Sequence, residues 1–498
     1  MKYNLKEYIQ SRYYGMNDTV SPLALRGFEA SSIENWLVRF QGKLKRRMGQ
    51  TESGTDAGTT GVNSLTHWKS GSTVVQIKVI DKTIKSLSAG TWSNHGAAPT
   101  FTSAGDVNFC FANGYLYAFN GTDSPKKIGQ TTSADVAAIP AGSWAVWYRN
   151  YLFVGGVAAY PNRIYFSNLG DPETYTADDY IDIEPGDGDE LTGAIVSGPD
   201  KIFITKNYTV HYLTGSGPST FAVYPLVRDF GIVSYRSLVN VGGDIWGITP
   251  DGRIMSLLKN QYGLYSGQDM ASGHLHTALS GLNQQVLNKA CGAVIDGYVI
   301  FAVANGAATT NDLMLVYDLD AEIPEGYSRW VKFTGWDINC LDVVSLETEE
   351  ELFMGNSSND KVLKWAGNTD DGTVITATWI GAEHEFESVG SIKSHKQIKI
   401  NGFPLGDFNV AVYSSIDNGS YTDLGDFNLS NTGGTWNTSV WNSFLWGSVG
   451  IISDRFHFSD NDGKVIGYKC QLKFVYNANS DEPTLGTFSI YYSPMRWR

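Results

Sequence analysis

Five acidic residues within nine positions are the first candidates for chemistry in this sequence. They lie in residues 161–196, PNRIYFSNLGDPETYTADDYIDIEPGDGDELTGAIV, between a strand-like run and a Gly/Asp turn. Carboxylate oxygens are the ligands that calcium, a hard cation, prefers. The spacing lacks the twelfth-position glutamate of an EF-hand loop, which favours a solvated turn over a calcium site. The acidic residues are Asp182, Glu184, Asp187, Asp189 and Glu190.

Two further patterns have a chemical and a structural interpretation. His274 and His276 would share one face of an extended segment and could ligate a metal, but no other His or Cys lies nearby in the sequence. In SSIDNGSY (residues 414–421), the part from Ser415 to Tyr421 resembles the S-x-D-x-G turn of sialidase propellers. In that turn the Asp accepts backbone hydrogen bonds and stabilises a hairpin, so a structural role is predicted.

Motifs for nucleophilic, metal-assisted or cofactor chemistry do not occur in the sequence. It has no G-x-S-x-G elbow and no H-E-x-x-H, and GSGPS at 215–219 lacks the third glycine of a dinucleotide loop. A glycosidase needs only two suitably separated carboxylates, and 51 acidic residues leave that possibility open. We therefore expect a protein that is not an enzyme and uses no cofactor or metal.

Composition indicates the elements that would position these residues. The 498 residues are 42% hydrophobic and 13% aromatic, with 54 glycines, which is typical of β structure with many turns. The net charge of −14 argues against a non-specific nucleic-acid surface. No run approaches the roughly 18 apolar residues of a membrane span. The first residues contain no apolar segment of a signal peptide, so synthesis in the cytoplasm is expected.

The four cysteines are far apart and form no C-x-x-C pair, so they are expected to be reduced or buried, neither a disulfide framework nor a zinc site. They are Cys110, Cys291, Cys340 and Cys470.

A repeating unit occupies residues 63–370. A Gly, Asn or Asp turn precedes a short apolar strand, then a second turn and another strand, as in NGYLYAFNGTDSPKKIG at 113 and GGDIWGITPDGRIMSLL at 242. Seven such units recur at spacings of roughly 36 to 54 residues. This period is typical of a β-propeller, and we expect six to eight blades.

The ends of the chain differ from this repeat. Residues 371–498 alternate apolar and polar positions without the blade spacing, which predicts a C-terminal β-sandwich or jelly roll of about eight strands, ending on a strand at Met495 to Arg498. Residues 51–62, TESGTDAGTTGV, are low in complexity and predict a mobile loop or linker. Residues 1–62 as a whole are expected to form an N-terminal docking segment.

The docking segment contains a predicted hairpin rich in cations. Residues 36–40 read as a strand, Gln41-Gly42 as a turn, and residues 44–49 as a second strand. One interpretation is a charged edge strand protected from aggregation. The other is contact with an acidic partner, since the density of cations exceeds what edge protection requires. The candidate docking residues are Lys43, Lys45, Arg46 and Arg47.

Several tyrosines are predicted to be exposed, where they would suit glycan stacking or a protein interface. Packing within propeller sheets is the alternative. They are Tyr13, Tyr14, Tyr148, Tyr160, Tyr175 and Tyr180.

Three of these stretches and the end of the chain together resemble one family. ENWLVRFQGKLKRRMG is similar to an N-terminal E-N-x…G-x-L-x-x-R-x-G signature of phage tail proteins. Residues 160–196, VRDFGIVSYRSLVNVGGDIWGITPDGRI at 227–254, and a sandwich ending in an Arg-rich strand are also similar to these proteins. The family is that of β-propeller tail proteins of tailed bacteriophages, which includes the tail nozzle (tail tubular protein) of short-tailed phages.

The resemblance implies a non-enzymatic virion protein, assembled in the host bacterial cytoplasm. Copies would form a homo-oligomeric ring, a hexamer in known nozzles, around the DNA exit channel below the portal and adaptor. The implied partners are other copies of the chain, adaptor or portal-proximal proteins, tail fibres or spikes, and genomic DNA that passes without sequence-specific binding. Two alternatives remain open: a carbohydrate-binding or glycan-hydrolysing propeller, and a receptor-binding tail protein.

Overall fold

The computed structural model describes residues 5–39, 42–56, 58–97, 100–198, 200–259, 265–346, 349–386, 390–403, 409–428, 452–458, 465–478 and 483–495, which are almost entirely β. Five strands precede the repeating part of the chain. They are β1 (Lys6–Gln10), β2 (Ala30–Glu34), β3 (Trp36–Leu37), β4 (Leu44–Arg46) and β5 (Gln50–Glu52). The predicted end of the last strand at Arg496 to Arg498 lies outside the described residues.

Five four-stranded antiparallel sheets follow in sequence order, and each is one blade of a propeller. The first contains β6 (Val62–Ser70), β7 (Thr73–Ile80), β8 (Thr83–Ser88) and β9 (Thr91–Asn94). The second contains β10 (Asn108–Ala112), β11 (Tyr115–Phe119), β12 (Lys126–Ile128) and β13 (Ser133–Asp135). The third contains β14 (Trp144–Tyr148), β15 (Tyr151–Gly155), β16 (Arg163–Phe166) and β17 (Tyr180–Asp182).

The fourth blade contains β18 (Leu191–Ser197), β19 (Lys201–Lys206), β20 (Val210–Thr214) and β21 (Ala222–Val227). A 3₁₀ turn, Tyr235–Ser237, leads to the fifth blade. This blade contains β22 (Val239–Val241), β23 (Asp244–Ile248), β24 (Ile254–Lys259) and β25 (Tyr265–Asp269). A short helix α1 (His276–Ser280) and a 3₁₀ segment (Gln284–Lys289) connect it to the next sheet.

Two further blades share one long strand. The strands of this region are β26 (Cys291–Ile295), β27 (Tyr298–Val303), β28 (Asn311–Asp318), β29 (Trp330–Ser345), β30 (Glu350–Asn356) and β31 (Val362–Trp365). The first part of β29 pairs with β28, and the part from Ile338 onward pairs with β30. Gly335 lies between the two parts with a φ of +88°, a conformation that glycine adopts without steric cost. Five separate blades and these two make seven, within the predicted range.

The N-terminal part of the chain closes the last blade. β5 pairs antiparallel with β31, with Thr51 opposite Lys364. Residues 51–62 are therefore not a free linker: Asp56 also holds Lys78 Nζ at 3.0 Å and Lys85 Nζ at 2.7 Å in the first blade. Closing the ring with a distant segment buries the last blade between two neighbours.

Apolar side chains fill the spaces between neighbouring blades, and the first strands of successive blades lie side by side around the axis. Where the ring closes, Leu65 and Ile80 of the first blade pack in one cluster with Cys340, Val344 and Phe353 of the last. All four cysteines are buried and free, as the sequence predicted.

The C-terminal strands form a β-sandwich, as expected, but they share it with the N-terminal segment. They are β32 (Thr376–His384), β33 (Lys393–Phe403), β34 (Asn409–Ile416), β35 (Thr422–Asn428), β36 (Ile452–His457), β37 (Val465–Gly467), β38 (Cys470–Asn477) and β39 (Thr484–Pro494). One sheet has the order β3-β4-β39-β33-β36, with β1 on β39 and β37 on β33. The other contains β2-β32-β38-β34-β35.

The sandwich and the propeller are joined by a continuous sheet. β2 pairs with β32 of the sandwich and, through Glu34 opposite Lys332, with β29 of the propeller. This arrangement corrects the prediction that residues 1–62 form a separate docking segment, because their strands complete both the sandwich and the last blade. Long-range pairing of this kind leaves no local pattern in a sequence.

Candidate functional site

The four predicted docking cations lie on and beside β4, which is an interior strand of its sheet. β4 pairs with β3 on one side and with β39 on the other, where Lys45 is opposite Thr484. The residues at 46 and 47 are completely buried, at 0% exposure each. The predicted hairpin therefore exists, but it is not a surface ribbon of cations.

The guanidinium of Arg47 is held inside the protein by several acceptors. Its Nη1 and Nη2 bind Asp370 Oδ1 and Oδ2 at 2.8 and 2.6 Å. Its Nε donates to Asn35 Oδ1 at 2.8 Å, and its Cζ lies 4.5 Å from the centre of the Trp336 ring. The indole of Trp336 also donates to Asp370, at 3.0 Å. The acidic partner expected for this cation thus belongs to the same chain, at the end of the propeller.

The other three cations differ in accessibility. Arg46 is buried with its guanidinium 5.7 Å from the Tyr476 ring, so it cannot reach an external partner. Lys43 and Lys45 are half-buried, and Lys43 Nζ lies 3.8 Å from the centre of the Phe403 ring. The hypothesis of external docking is therefore wrong for Arg46 and Arg47, and it stays a prediction for Lys43 and Lys45.

Most of the acidic turn is neutralised by cations of the same region. Arg163 binds Asp182 with two hydrogen bonds of 2.7 and 3.0 Å. Arg228 Nη2 lies 2.5 Å from Glu184 Oε1, and Lys206 Nζ lies 2.7 Å from Asp187 Oδ2. In the described part of the chain, no group of three or more His, Cys, Asp or Glu residues is arranged to hold a metal ion.

These contacts also change proton affinities. The hydrogen bond from Arg228 holds the pKa of Glu184 below its ordinary value. Burial is the largest single influence on Asp187 and would raise its pKa, but the hydrogen bond and the charge of Lys206, together with backbone hydrogen bonds, outweigh it and the pKa is lowered. Both carboxylates are therefore charged at neutral pH, and their role is to fix the connection between the third and fourth blades.

A cleft of about 770 Å³ adjoins the acidic turn, at the rim of the third and fourth blades. Tyr160, Asn162, Arg163, Asp189, Glu190 and Tyr208 are among the residues that line it. Tyr160 was predicted to be exposed and is, at 50%. Sequence reasoning missed Tyr208, which is 66% exposed in the short turn between β19 and β20.

The other tyrosines predicted to be exposed are packed more deeply. Tyr13, Tyr14 and Tyr148 are buried, in correction of the prediction. Tyr175 and Tyr180 are half-buried. Tyr175 donates its hydroxyl hydrogen bond to Leu152 O at 3.1 Å within the third blade. Most of these six tyrosines are therefore packed within the protein, as the alternative interpretation predicted.

Arg236 lies at the end of the propeller axis where the first strand of each blade begins. This residue follows the fourth blade, yet its guanidinium reaches the first and second blades on the other side of the ring. It donates to Asn63 O at 3.0 Å and to Asn108 Oδ1 at 3.2 Å, and lies 3.2 Å from Asp106 Oδ1. The neighbouring Tyr235 donates to Ala145 O of the third blade at 3.3 Å.

Arg236 was also not predicted as a functional residue. The available signal was a single cation in the otherwise weakly polar stretch FGIVSYRSLVNV between two blades. A cation in such a stretch is expected to have buried acceptors, because burying an unpaired charge is costly.

The two histidines do not form a metal site. His274 Nδ1 is 3.9 Å from Glu29 Oε1, whereas His276 begins α1 and its side chain is exposed. The turn after β34 is structural, as predicted: Asp417 Oδ1 accepts hydrogen bonds from the backbone N–H groups of Tyr468 and Lys469.

Within the described residues, no helix is long and apolar enough to cross a bilayer.

Comparison with known proteins finds no family and only distant structural similarity. No protein-family model matches the chain, and no curated protein matches it. YCF48 bound to D1 peptide is similar at 10% identity and a TM-score of 0.39, over 64% of this chain and 96% of that chain. The extracellular domain of a one component system from B. thetaiotaomicron is similar at 9% identity and a TM-score of 0.41, over 82% of this chain and 58% of that chain. BBS1N in complex with ARL6DN is similar at 12% identity and a TM-score of 0.40, over 65% of this chain and 99% of that chain.

Proposed function

We propose that the chain is a structural subunit of a bacteriophage tail, of the nozzle or tail-tube type, and that it performs no catalysis. Its copies form a ring, most simply a hexamer, around the DNA exit channel below the portal and adaptor. The ring helps to retain the genome and then to release it. The observation that carries the proposal is the continuous sheet through β2, which makes propeller and sandwich one building block.

A ring subunit must hold its two contact surfaces at a fixed angle, because a heterologous contact closes only when the rotation between copies is constant. The shared sheet supports this requirement, since relative rotation of the two parts would break the pairing of β2 with β32 or its bridge to β29. The buried pair of Arg47 and Asp370 joins the same two parts. The described part of the stretch that resembles phage tail proteins, residues 34–39 and 42–49, lies at this junction.

The contacts that Arg236 makes across the axis support a channel outside the single propeller. DNA would not run through the axis of one propeller, because Arg236 spans one end of it. The channel would therefore lie between copies, lined by their outer surfaces. A net charge of −14 suits such a lining, since like charges keep DNA from adsorbing as it passes.

The same axis distinguishes this proposal from a glycan-hydrolysing propeller. Such an enzyme would be favoured by a pair of buried carboxylates and by aromatic rings converging on the central pocket. The described residues place a guanidinium there, with the single carboxylate of Asp106 beside it and the amide of Asn108. The proposal therefore assigns the propeller a structural role.

The test is the copy number of the chain in purified virions, measured against the portal protein by quantitative mass spectrometry. We expect about six copies for every twelve portal subunits, as a six-fold ring below the portal requires. About twelve copies would replace the nozzle assignment with an adaptor-like ring, and multiples of three beyond six would indicate spikes or fibres. Absence from virions would overturn the structural role altogether.

A further inference from the structure

The cleft at the rim of the third and fourth blades has the features of a binding site. Its volume of about 770 Å³ lies in the range of small-ligand pockets, roughly 300 to 1,000 Å³. Tyr160 and Asn162 come from the connection between β15 and β16, and Tyr208 comes from the turn between β19 and β20. Asp189 and Glu190 come from the connection between the two blades.

One wall is fixed by Arg163. Its guanidinium lies 3.5 Å from the centre of the Tyr180 ring and 4.5 Å from that of Tyr160, while two hydrogen bonds hold it to Asp182. A guanidinium held by rings and a carboxylate has little freedom to rotate. The position of the Tyr160 ring is thereby set before any ligand arrives.

The opposite wall is fixed by Asp189. Its Oδ1 accepts hydrogen bonds from the backbone N–H and the side-chain amide of Asn207, at 3.2 and 2.8 Å. Its Oδ2 accepts the backbone N–H of Tyr208 at 3.0 Å. The backbone at Tyr208 is therefore anchored, although 66% of the residue is exposed. An anchored turn that keeps an aromatic ring in water provides a flat apolar face without an ordering cost on binding.

The polar groups of the cleft suit a ligand with many hydroxyls. Asn162 and Asn207 offer amide groups, and Glu190 is exposed. Asn162 Oδ1 is buried and has no hydrogen-bond partner among the described residues, so the side chain would have to turn to present it to a ligand. Arg163 is the cation among these lining residues, against the carboxylates of Asp182, Asp189 and Glu190. This excess of negative charge disfavours phosphate and other anionic ligands.

We propose that this cleft binds a neutral saccharide. The C–H face of a sugar ring would stack on Tyr208, the more exposed of the two rings, as apolar surface does on aromatic side chains. Sugar hydroxyls would bind the amides and carboxylates, which together provide both donors and acceptors. The apolar lining other than the two tyrosines is limited to Ala159, Pro161 and Pro185, which gives no deep pocket for the apolar anchor of a peptide.

The test begins with the purified full-length chain on a glycan panel containing neutral oligosaccharides, sialylated and sulfated ones, and choline as a cationic probe. The strongest neutral binder is then titrated by isothermal calorimetry. We expect Tyr208→Ala to weaken its binding by about tenfold or more, because the stacking face is lost. Tyr224→Ala, which removes a ring of similar exposure (47%) on the outer strand β21, should change the affinity less than about twofold.

A second variant separates charge from stacking. Glu190→Gln keeps a hydrogen-bonding group but removes a charge, so it should weaken the binding of a neutral saccharide less than Tyr208→Ala does and should not improve it, whereas it should improve the binding of an anionic ligand. Binding of choline alone, or of acidic glycans alone, would overturn the proposal. So would the absence of any neutral binder at millimolar concentration, or equal affinities for Tyr208→Ala and the unmodified chain. The copy number in virions is independent of all these outcomes, so this proposal and the structural role fail separately.

Discussion

Arg47 and Asp370 form a two-pronged ion pair, at 2.8 and 2.6 Å, between positions 323 residues apart in the chain. The arginine follows β4 of the sandwich, and the aspartate follows β31 at the end of the propeller. The arginine side chain is completely buried and that of the aspartate is 10% exposed. The pair therefore fixes the N-terminal segment against the propeller at the point where the two parts of the fold meet.

We expect Arg47→Ala to destabilise the protein by about 3 to 5 kcal/mol, because it leaves Asp370 as an uncompensated buried charge. Urea denaturation monitored by tryptophan fluorescence measures this change. The matched control is Arg253→Ala, which breaks the exposed pair with Asp251 and should cost at most about 1 kcal/mol. Equal losses of stability in the two variants would show that the buried ion pair contributes no more to stability than the exposed one.

A second buried ion pair tests the closure of the ring. Asp56 holds Lys78, whose side chain is 0% exposed and whose pKa is lowered by burial despite this carboxylate. Asp56→Ala should cost about 3 kcal/mol or more and expose residues 51–62 to limited proteolysis. Asp200→Ala removes an exposed ion pair with Arg149, so it should neither lower the stability comparably nor increase proteolysis of residues 51–62. Rapid cleavage within 51–62 in the unmodified chain would instead favour the mobile loop expected from the sequence.

The axis provides a third prediction. Arg236→Ala would leave Asp106 and the acceptors on the first and second blades without their donor, so we expect a loss of about 2 to 4 kcal/mol. Arg236→Lys keeps the charge but cannot reach several acceptors at once, and it should recover only part of the loss. Thermal unfolding of the three proteins checks the order. A lysine variant as stable as the original would mean that charge alone matters at the axis.

Some of these features can be predicted from the sequence. Others cannot, because they depend on contacts between segments that are distant in the chain. The blades can be predicted from local sequence, because the strands of one blade and the turns between them, such as Asn113-Gly114, follow one another directly in the chain. The closing strand β5 and the long shared strand β29 pair with segments far away, and nothing near Thr51 or Gly335 signals such a partner. The sequence alone predicts that the cations at 46 and 47 are exposed, because Asp370, the partner of Arg47, is far away in the sequence. The cleft is lined by Tyr208 and Tyr160 from two different blades, an arrangement that no local pattern encodes.

Acid should weaken the sandwich through His395. This residue is 2% exposed, and burial lowers its pKa to about 4, although Asp417 opposes the shift and Lys393 adds to it. The unfolded chain binds the proton near pH 6.5, so this contribution is complete above that pH and is lost as the pH falls toward 4. The expected loss is about 3 kcal/mol.

The free energy of unfolding, measured between pH 7 and pH 4, checks this contribution. His395→Phe should flatten the slope, since a phenyl ring can pack against Phe386 and Phe458 without taking up a proton. His276→Gln, at an exposed position, should leave the slope unchanged. An unaltered slope in the His395 variant would assign the acid sensitivity between pH 7 and pH 4 to another histidine such as His384, whose pKa burial also lowers to about 4.

The hypothesis of docking to an acidic partner is now restricted to Lys43 and Lys45. Reversing all four cations would unfold the protein, since Arg46 and Arg47 are buried, and an assembly defect would then say nothing about a partner. Lys43→Glu with Lys45→Glu alters only the half-buried pair. If these lysines face an acidic neighbour in the tail, the double variant should keep its thermal stability within a few degrees yet enter virions at a reduced level. Lys43→Gln with Lys45→Gln should give a milder defect, because repulsion is absent. Normal incorporation of the charge-reversed chain would remove the last support for docking through this hairpin.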